Sequence, residues 1–330
     1  MHVCLEERAC APALDRAADG SVVVTFAGST KGRERTTHPT VLARLRAYGS
    51  MVAFAHTVFA LPFAASAVVL SLAVPHEPLG LGRIGAMLAC MVCARTSAMA
   101  FNRWADRDID SKNPRTTARH LPAGIVRPAE ALALAAVSGV GFLVAAATLG
   151  WWPAALSPFV LAVLLGYSYA KRFTWGAHAW LGAALALAPG GAWLAMGARP
   201  GPGIAMLMAA VVTWLLGFDV LYSLQDEHFD RGAGLRSIPA RFGARRAMVI
   251  SASSHVLTVL ALAGCGIALH RGVPYASAVA VAASLLFYEH KLVRRRGLAA
   301  IDKAFFDVNA WVSLAFFGLV LVDEWVRRRP

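Results

Sequence analysis

The chain has 330 residues, of which 58% are hydrophobic and only 15% charged, and its mean hydropathy is +0.56. No ordinary soluble domain carries so much apolar side chain, so a single aqueous globule is excluded and a bilayer is the expected solvent. The formal net charge of +13 would suit a nucleic-acid binder, but the basic residues segregate by loop instead of forming a stripe, which excludes that class as well.

The first 40 residues are of mixed polarity, with Glu6 and Glu7 and no long apolar run, so they do not read as a signal peptide. Residues 1–43 are expected to form a mobile segment ahead of a membrane domain at 44–330. About 20 apolar residues cross the hydrocarbon layer as a helix. That length predicts an all-α membrane protein of about nine transmembrane helices, near 52–74, 82–104, 129–149, 151–170, 178–197, 203–224, 246–269, 273–290 and 305–325. The first span carries His56. The second carries Cys90 and Cys93, a CxxC on an apolar helix that reads as packing, and then Arg95. It ends in Asn102-Arg-Trp-Ala-Asp106-Arg-Asp-Ile-Asp110, and a long polar loop follows with Arg115 and Arg119. The fourth ends at Lys171 and Arg172. The sixth ends in Asp219-Val-Leu-Tyr222-Ser-Leu-Gln-Asp226-Glu-His-Phe-Asp230, again before a long polar loop.

With the N-terminus inside, 25 of the 32 Lys and Arg residues fall on the inner side, 6 on the outer side, and Arg95 within a span. This positive-inside bias places both acidic segments at the cytoplasmic face of an inner or plasma membrane. Arg327, Arg328 and Arg329 run against it, because an odd number of spans puts them outside.

The two acidic segments hold seven of the 19 acidic residues. An α-helix turns about 100° per residue, so Asn102, Asp106 and Asp110 form one stripe roughly 12 Å long. Asp219, Tyr222, Asp226 and Asp230 share a face by the same count, whereas Asp108 and Glu227 point aside. Asn102, Asp106 and Asp110 match Tyr222, Asp226 and Asp230 at a constant offset of 120 residues, a hint of internal duplication. Carboxylates concentrated at two helix ends of a membrane protein suit Mg²⁺, which shares phosphate oxygens and needs no full protein cage. The bland alternative, solvated helix ends, does not explain two stripes in matching register. Arg95 lies two turns deeper than Asn102 near the same face. A mid-span Arg costs about 2.5–3.5 kcal/mol on insertion scales, so an anionic partner is expected.

The segments NxxxDxxxD (Asn102, Asp106, Asp110) and YxxxDxxxD (Tyr222, Asp226, Asp230) resemble those of the UbiA superfamily of intramembrane aromatic prenyltransferases. Tyr167-Ser-Tyr-Ala-Lys171-Arg172-Phe-Thr174, the preceding Arg95, and Arg119-His-Leu-Pro-Ala-Gly124 strengthen the resemblance, which runs from about residue 44 to the C-terminus. His56-Thr-Val-Phe-Ala-Leu-Pro62-Phe and Tyr288-Glu-His290 look most like the 4-hydroxybenzoate polyprenyltransferase branch.

The resemblance implies a helical bundle that transfers a polyprenyl group from polyprenyl diphosphate to an aromatic hydroxy acid. The acceptor would be 4-hydroxybenzoate or a dihydroxynaphthoate, for ubiquinone or menaquinone. On that reading Asn102, Asp106, Asp110, Asp226 and Asp230 hold Mg²⁺, and Arg115, Arg119, Lys171 and Arg172 neutralise the diphosphate. Tyr222 and Tyr167 face the allylic cation, and Arg95 anchors the acceptor carboxylate. His56 either touches the acceptor or is a hydrogen-bonded core histidine. The alternatives are a UbiA-type enzyme with another acceptor or, from a different class, a cation-coupled transporter. Transporter sites usually lie near the midplane on broken helices, whereas these acids sit at one end.

Overall fold

A computed structural model describes residues 13–16, 22–25, 41–52, 57–301 and 304–329. The chain divides into two units, Met1–Arg44 and Leu45–Pro330. In the first, β1 (Ala13–Arg16) and β2 (Val22–Thr25) pair antiparallel, Ala13 opposite Thr25.

The second unit begins within α1 (Val41–Val52) and continues through α2 (Thr57–Ser71), α3 (Leu81–Asp110), α4 (Pro128–Ala147), α5 (Trp151–Gly166), the short α6 (Ala170–Phe173), α7 (Ala177–Ala195), α8 (Pro202–Tyr222), the short α9 (Glu227–Gly232), α10 (Ile238–Ala268), α11 (Val273–Arg296) and α12 (Asn309–Arg327). Among the described residues, seven helical stretches are long and apolar enough to cross a membrane. The all-α, multi-pass architecture expected from the apolar runs is present, with a span count slightly below nine. The two other expected spans exist as helices: α2 has 15 residues. α7 has 19, but His178, Pro189 and several glycines lower its hydropathy. Helices also outrun the apolar segments, since i→i−4 bonding continues into polar sequence. Thus α3 carries on through Asp110, while the polar start of α10 at Ile238 is a short turn set off by a kink at Gly243.

The exterior is apolar, as lipid requires: Val137, Val140 and Val144, spaced along one face of α4, are all exposed. Because lipid tails are as apolar as leucine, the bundle is held by close packing and internal hydrogen bonds. Gly182 shows the first device. A Cβ there would stand 2.6 Å from the Val212 carbonyl oxygen, so its absence lets α7 close onto α8. Phe63 lies 4.9 Å from Trp214 and 5.3 Å from Phe316 between ring centroids. Such pairs contribute about 0.5–1.5 kcal/mol each beyond burial. A buried polar set supplies the second device. Trp214 Nε1 donates to Asn309 Oδ1 (2.8 Å), Asn309 Nδ2 donates to Glu289 Oε1 (2.9 Å), and His255 and His290 share a 3.0 Å bond, tying α8, α10, α11 and α12 together.

At the far end of α10, the fully buried Arg271 side chain meets Glu324 Oε2 at 2.7 Å and Asp323 Oδ2 at 3.5 Å. It also donates to the Leu70 carbonyl at 2.9 Å. Asp323 Oδ1 accepts the Gly272 N–H at 3.0 Å, which satisfies a donor at the start of α11. One arginine therefore joins the ends of α2, α11 and α12. Removing one partner from such a buried pair costs about 3–5 kcal/mol.

Candidate functional site

The first acidic segment lies wholly on α3. Asn102 Nδ2 donates to Asp106 Oδ2 at 2.9 Å, one turn along, so the expected stripe is realised. The second segment is different. α8 ends at Tyr222, a 3₁₀ turn covers Ser223–Asp226, and α9 starts at Glu227. A 3₁₀ turn advances about 120° per residue, so the continuous helical face expected for Asp219, Tyr222, Asp226 and Asp230 does not form. Asp219 turns to His178, whose Nδ1 donates to Asp219 Oδ2 at 2.6 Å while its Nε2 accepts the Ile238 N–H at 3.3 Å. That histidine fixes α7 to α8 and to the start of α10. The Tyr167–Tyr169 segment is also 3₁₀, between α5 and α6. Its Ser168 Oγ lies 3.5 Å from Asn102 Nδ2.

The four motif aspartates pair one-to-one with the four cations expected near them. Arg172 Nη2 lies 3.2 Å from Asp106 Oδ1, and Arg119 Nη1 lies 2.7 Å from Asp110 Oδ1. Lys171 Nζ lies 3.6 Å from Asp230 Oδ2. Arg115 forms a fork on Asp226, with Nε 2.9 Å from Oδ1 and Nη2 2.5 Å from Oδ2. Arg115 Nη1 also donates to the Tyr222 hydroxyl at 2.8 Å, and its guanidinium lies 5.2 Å from the Tyr222 ring centroid. Burial alone would lower the Arg115 pKa, but the Asp226 carboxylate more than offsets this and raises it above the ordinary arginine value.

Arg115 sits on the connection between α3 and α4. This segment is ordered by its own bonds: Asn113 Nδ2 donates to Asp226 Oδ1 at 3.3 Å, and Thr116 Oγ1 donates to the Asp110 carbonyl at 3.0 Å. Further along it, His120 Nε2 shares a 2.8 Å bond with Ser50 Oγ. Burial and the nearby Arg103 charge hold the His120 imidazole below its usual pKa.

Arg95 lies half-buried on α3, two turns before Asn102. Tyr167 opens the 3₁₀ turn that precedes Lys171 and Arg172. His56 falls outside the described residues. Asn113, Ser168 and His178 are the functional-site neighbours that sequence reasoning missed. Only His178, a charge-capable residue on an apolar helix, carried a signal that would have found it.

Among the described residues, no three His, Cys, Asp or Glu side chains stand close enough to hold a metal ion together. The donor set nevertheless fits Mg²⁺: carboxylates and an amide, all hard oxygen ligands. Asp110 Oδ2 and Asp230 Oδ2 are buried without a hydrogen-bond donor. Lys171 sits opposite Asp230 Oδ2 at ion-pair rather than hydrogen-bond range. Two buried anionic oxygens with no donor suit a cation partner.

A sequence profile of the UbiA prenyltransferase family matches residues 48–318. A 4-hydroxybenzoate octaprenyltransferase of Ectopseudomonas mendocina is 32% identical over 242 residues, covering 72% of this chain and 79% of the relative. One of Nitrosospira multiformis is 32% identical over 238 residues, covering 72% and 81%. Among solved structures, the apo structure of a UbiA homolog from Aeropyrum pernix K1 superposes with a TM-score of 0.73 at 33% identity, covering 81% of this chain and 98% of that one. A UbiA homolog from Archaeoglobus fulgidus bound to GPP and Mg²⁺ shares the fold, with a TM-score of 0.62 at 19% identity over 84% of this chain and 99% of that one. The helical bundle, its two acidic segments and these matches agree that the chain is a multi-pass membrane enzyme belonging to the UbiA prenyltransferase family.

Proposed function

We propose that this prenyltransferase moves a polyprenyl group from polyprenyl diphosphate to an aromatic hydroxy acid, 4-hydroxybenzoate in the first instance, with Mg²⁺ as its metal. The reaction serves quinone formation at the cytoplasmic face of the membrane. The one-to-one matching of four carboxylates with four cations carries this reading, because a magnesium diphosphate is a ligand that offers partners to both sets. The relatives' shared name, 4-hydroxybenzoate octaprenyltransferase, supports the acceptor. A dihydroxynaphthoate is the other acceptor that the same chemistry admits.

In this mechanism Asn102, Asp106, Asp110, Asp226 and Asp230 hold Mg²⁺, which when bound withdraws charge from the diphosphate oxygens. Arg115, Arg119, Lys171 and Arg172 bind the remaining oxygens and stabilise the electron pair that leaves with the diphosphate as the allylic C–O bond breaks. Tyr222 positions Arg115 through its ring face and hydroxyl, while Tyr167 presents its ring to the allylic cation. Arg95 holds the acceptor carboxylate with its planar fork, so that a ring carbon activated by the hydroxyl forms the new C–C bond and then loses its proton. The apolar bundle excludes water, which would otherwise trap the cation as an alcohol.

The test is direct. Purified protein with labelled polyprenyl diphosphate, Mg²⁺ and 4-hydroxybenzoate should yield labelled, prenylated acid. Lack of transfer to either 4-hydroxybenzoate or a dihydroxynaphthoate would refute the acceptor class. Ion flux through proteoliposomes without any transfer would favour a transporter instead.

A further inference from the structure

Beyond the second acidic segment lies a cavity of about 610 Å³ bordered by Trp175, Arg231, Leu235, Arg236 and Arg241. We propose that it binds the phosphate of an anionic lipid headgroup. Its volume is that of a small-ligand site. All three arginines are exposed, and Glu227, 2.8 Å from Arg231, is the one carboxylate paired with them among the described residues. Three guanidinium groups against one acid leave the cavity cationic.

Two of the arginines are held in place by the backbone around them, and the Arg241 guanidinium lies 5.7 Å from the Phe242 ring centroid. Arg236 Nη1 donates to the Phe173 carbonyl at 2.6 Å, and Arg231 Nε donates to that of Ala240 at 3.4 Å. Gly243, at φ 77° and ψ 160°, breaks α10 after Phe242, in a backbone region that a side chain would strain. The break separates a short first turn, capped by Ser237 Oγ on the Ala240 N–H at 3.3 Å, from the long apolar stretch. Arg241 and Phe242 therefore stand where polar sequence gives way to the membrane span. Trp175 packs edge-on against Phe242 at 5.6 Å between centroids and is itself half-exposed. Tryptophan at such a junction is the usual mark of a membrane interface. Basic pockets there attract anionic lipid at roughly 1 kcal/mol per charge. The aromatic wall and interfacial position favour a lipid headgroup over a free phosphate, which needs neither.

The cavity also adjoins the reaction site. The Arg236 N–H donates to the Lys171 carbonyl at 2.7 Å, so a bound headgroup would steady the backbone that carries Lys171 and Arg172.

The experiment uses the full chain in detergent and reads its thermal unfolding midpoint. It is titrated separately with short-chain phosphatidylglycerol, short-chain phosphatidylcholine, and inorganic diphosphate plus Mg²⁺. The proposal expects phosphatidylglycerol to raise the midpoint by about 2–4 °C and phosphatidylcholine to leave it unchanged. Arg241→Gln should weaken the phosphatidylglycerol response about tenfold or more, with Arg241→Lys intermediate. The diphosphate response should be the same in all three proteins. Equal responses to the two lipids, or none, would overturn the proposal. So would loss of the diphosphate response in Arg241→Gln, which would assign the cavity to the reaction site. A wild-type protein that ignores diphosphate but answers phosphatidylglycerol would count against the proposed reaction and leave the lipid site standing.

Discussion

The two acidic segments share their spacing and differ in their backbone. The first is an unbroken stretch of α3, where Asn102 bonds Asp106 one turn away. The second crosses a 3₁₀ turn, so Asp219 is lost to His178 and Asp226 swings to meet Arg115 from the connection that follows α3. Equal spacing in sequence has produced two geometries that complement each other. The consecutive cations after the other 3₁₀ turn divide between them: Arg172 reaches Asp106 of the first segment, and Lys171 reaches Asp230 of the second. Thus one dipeptide spans both halves of the site.

The largest expected effect tests whether both halves are needed. Asp106→Ala and Asp226→Ala should each lower kcat/KM by about 10³-fold, and EDTA should abolish turnover until Mg²⁺ is restored. Asp108, exposed and, among the described residues, ion-paired with Arg107 alone at 3.5 Å, should tolerate alanine with little loss. Equal losses at Asp106 and Asp108 would show that the α3 stripe is not what matters.

The next effect asks whether deep and shallow arginines serve different substrates. Arg95→Lys keeps charge but loses the fork, and the acceptor KM should rise roughly 10- to 150-fold, with that for polyprenyl diphosphate nearly unchanged. Arg115→Lys should do the reverse. If Arg95→Lys instead weakens the diphosphate, both arginines belong to one anion site.

A smaller effect concerns α8. Asp219→Asn leaves His178 Nδ1–H an uncharged acceptor and should cost about 1–2 kcal/mol of stability, measurable as a lower thermal midpoint with acceptor KM unchanged. A change in metal response instead would return Asp219 to the reacting face that the unbroken-helix reading gave it.

The smallest involves His120, on the connection after the first segment. Its folded pKa lies below the unfolded value, so it contributes stability that is fully present above about pH 6.5 and is lost as pH falls through the folded pKa. The thermal midpoint should therefore fall more between about pH 8 and pH 5 in the wild type than in His120→Gln. Identical profiles would remove His120 from the packing of that connection.

The sequence made plain whatever depends on local period. Apolar runs located the helices, and the NxxxDxxxD spacing placed Asn102, Asp106 and Asp110 on one face. It did not reveal the 3₁₀ turns at Tyr167–Tyr169 and Ser223–Asp226, because residues such as Tyr, Ser and Leu serve either helix type equally well. Nor did it assign partners. Which aspartate Arg115 meets depends on a contact across 111 residues of chain, and no spacing rule encodes that. Nor did the sequence show that the Arg115 guanidinium, from the connection after α3, lies over the ring of Tyr222, the residue expected to face the allylic cation.

Arg271 gives the bundle a mechanical asymmetry. Beyond the kink at Gly243, α10 carries the chain about 37 Å toward this arginine, where the ends of α2, α11 and α12 are clamped by a single guanidinium. Rods joined at one end behave as a fulcrum and its arms: small rotations at the clamp become ångström-scale excursions at the opposite tips. The opposite tips are Thr57 of α2, Arg296 of α11 and Asn309 of α12, which lie outside the two acidic segments. The clamp thus confines compliance in these three helices to the ends away from Arg271.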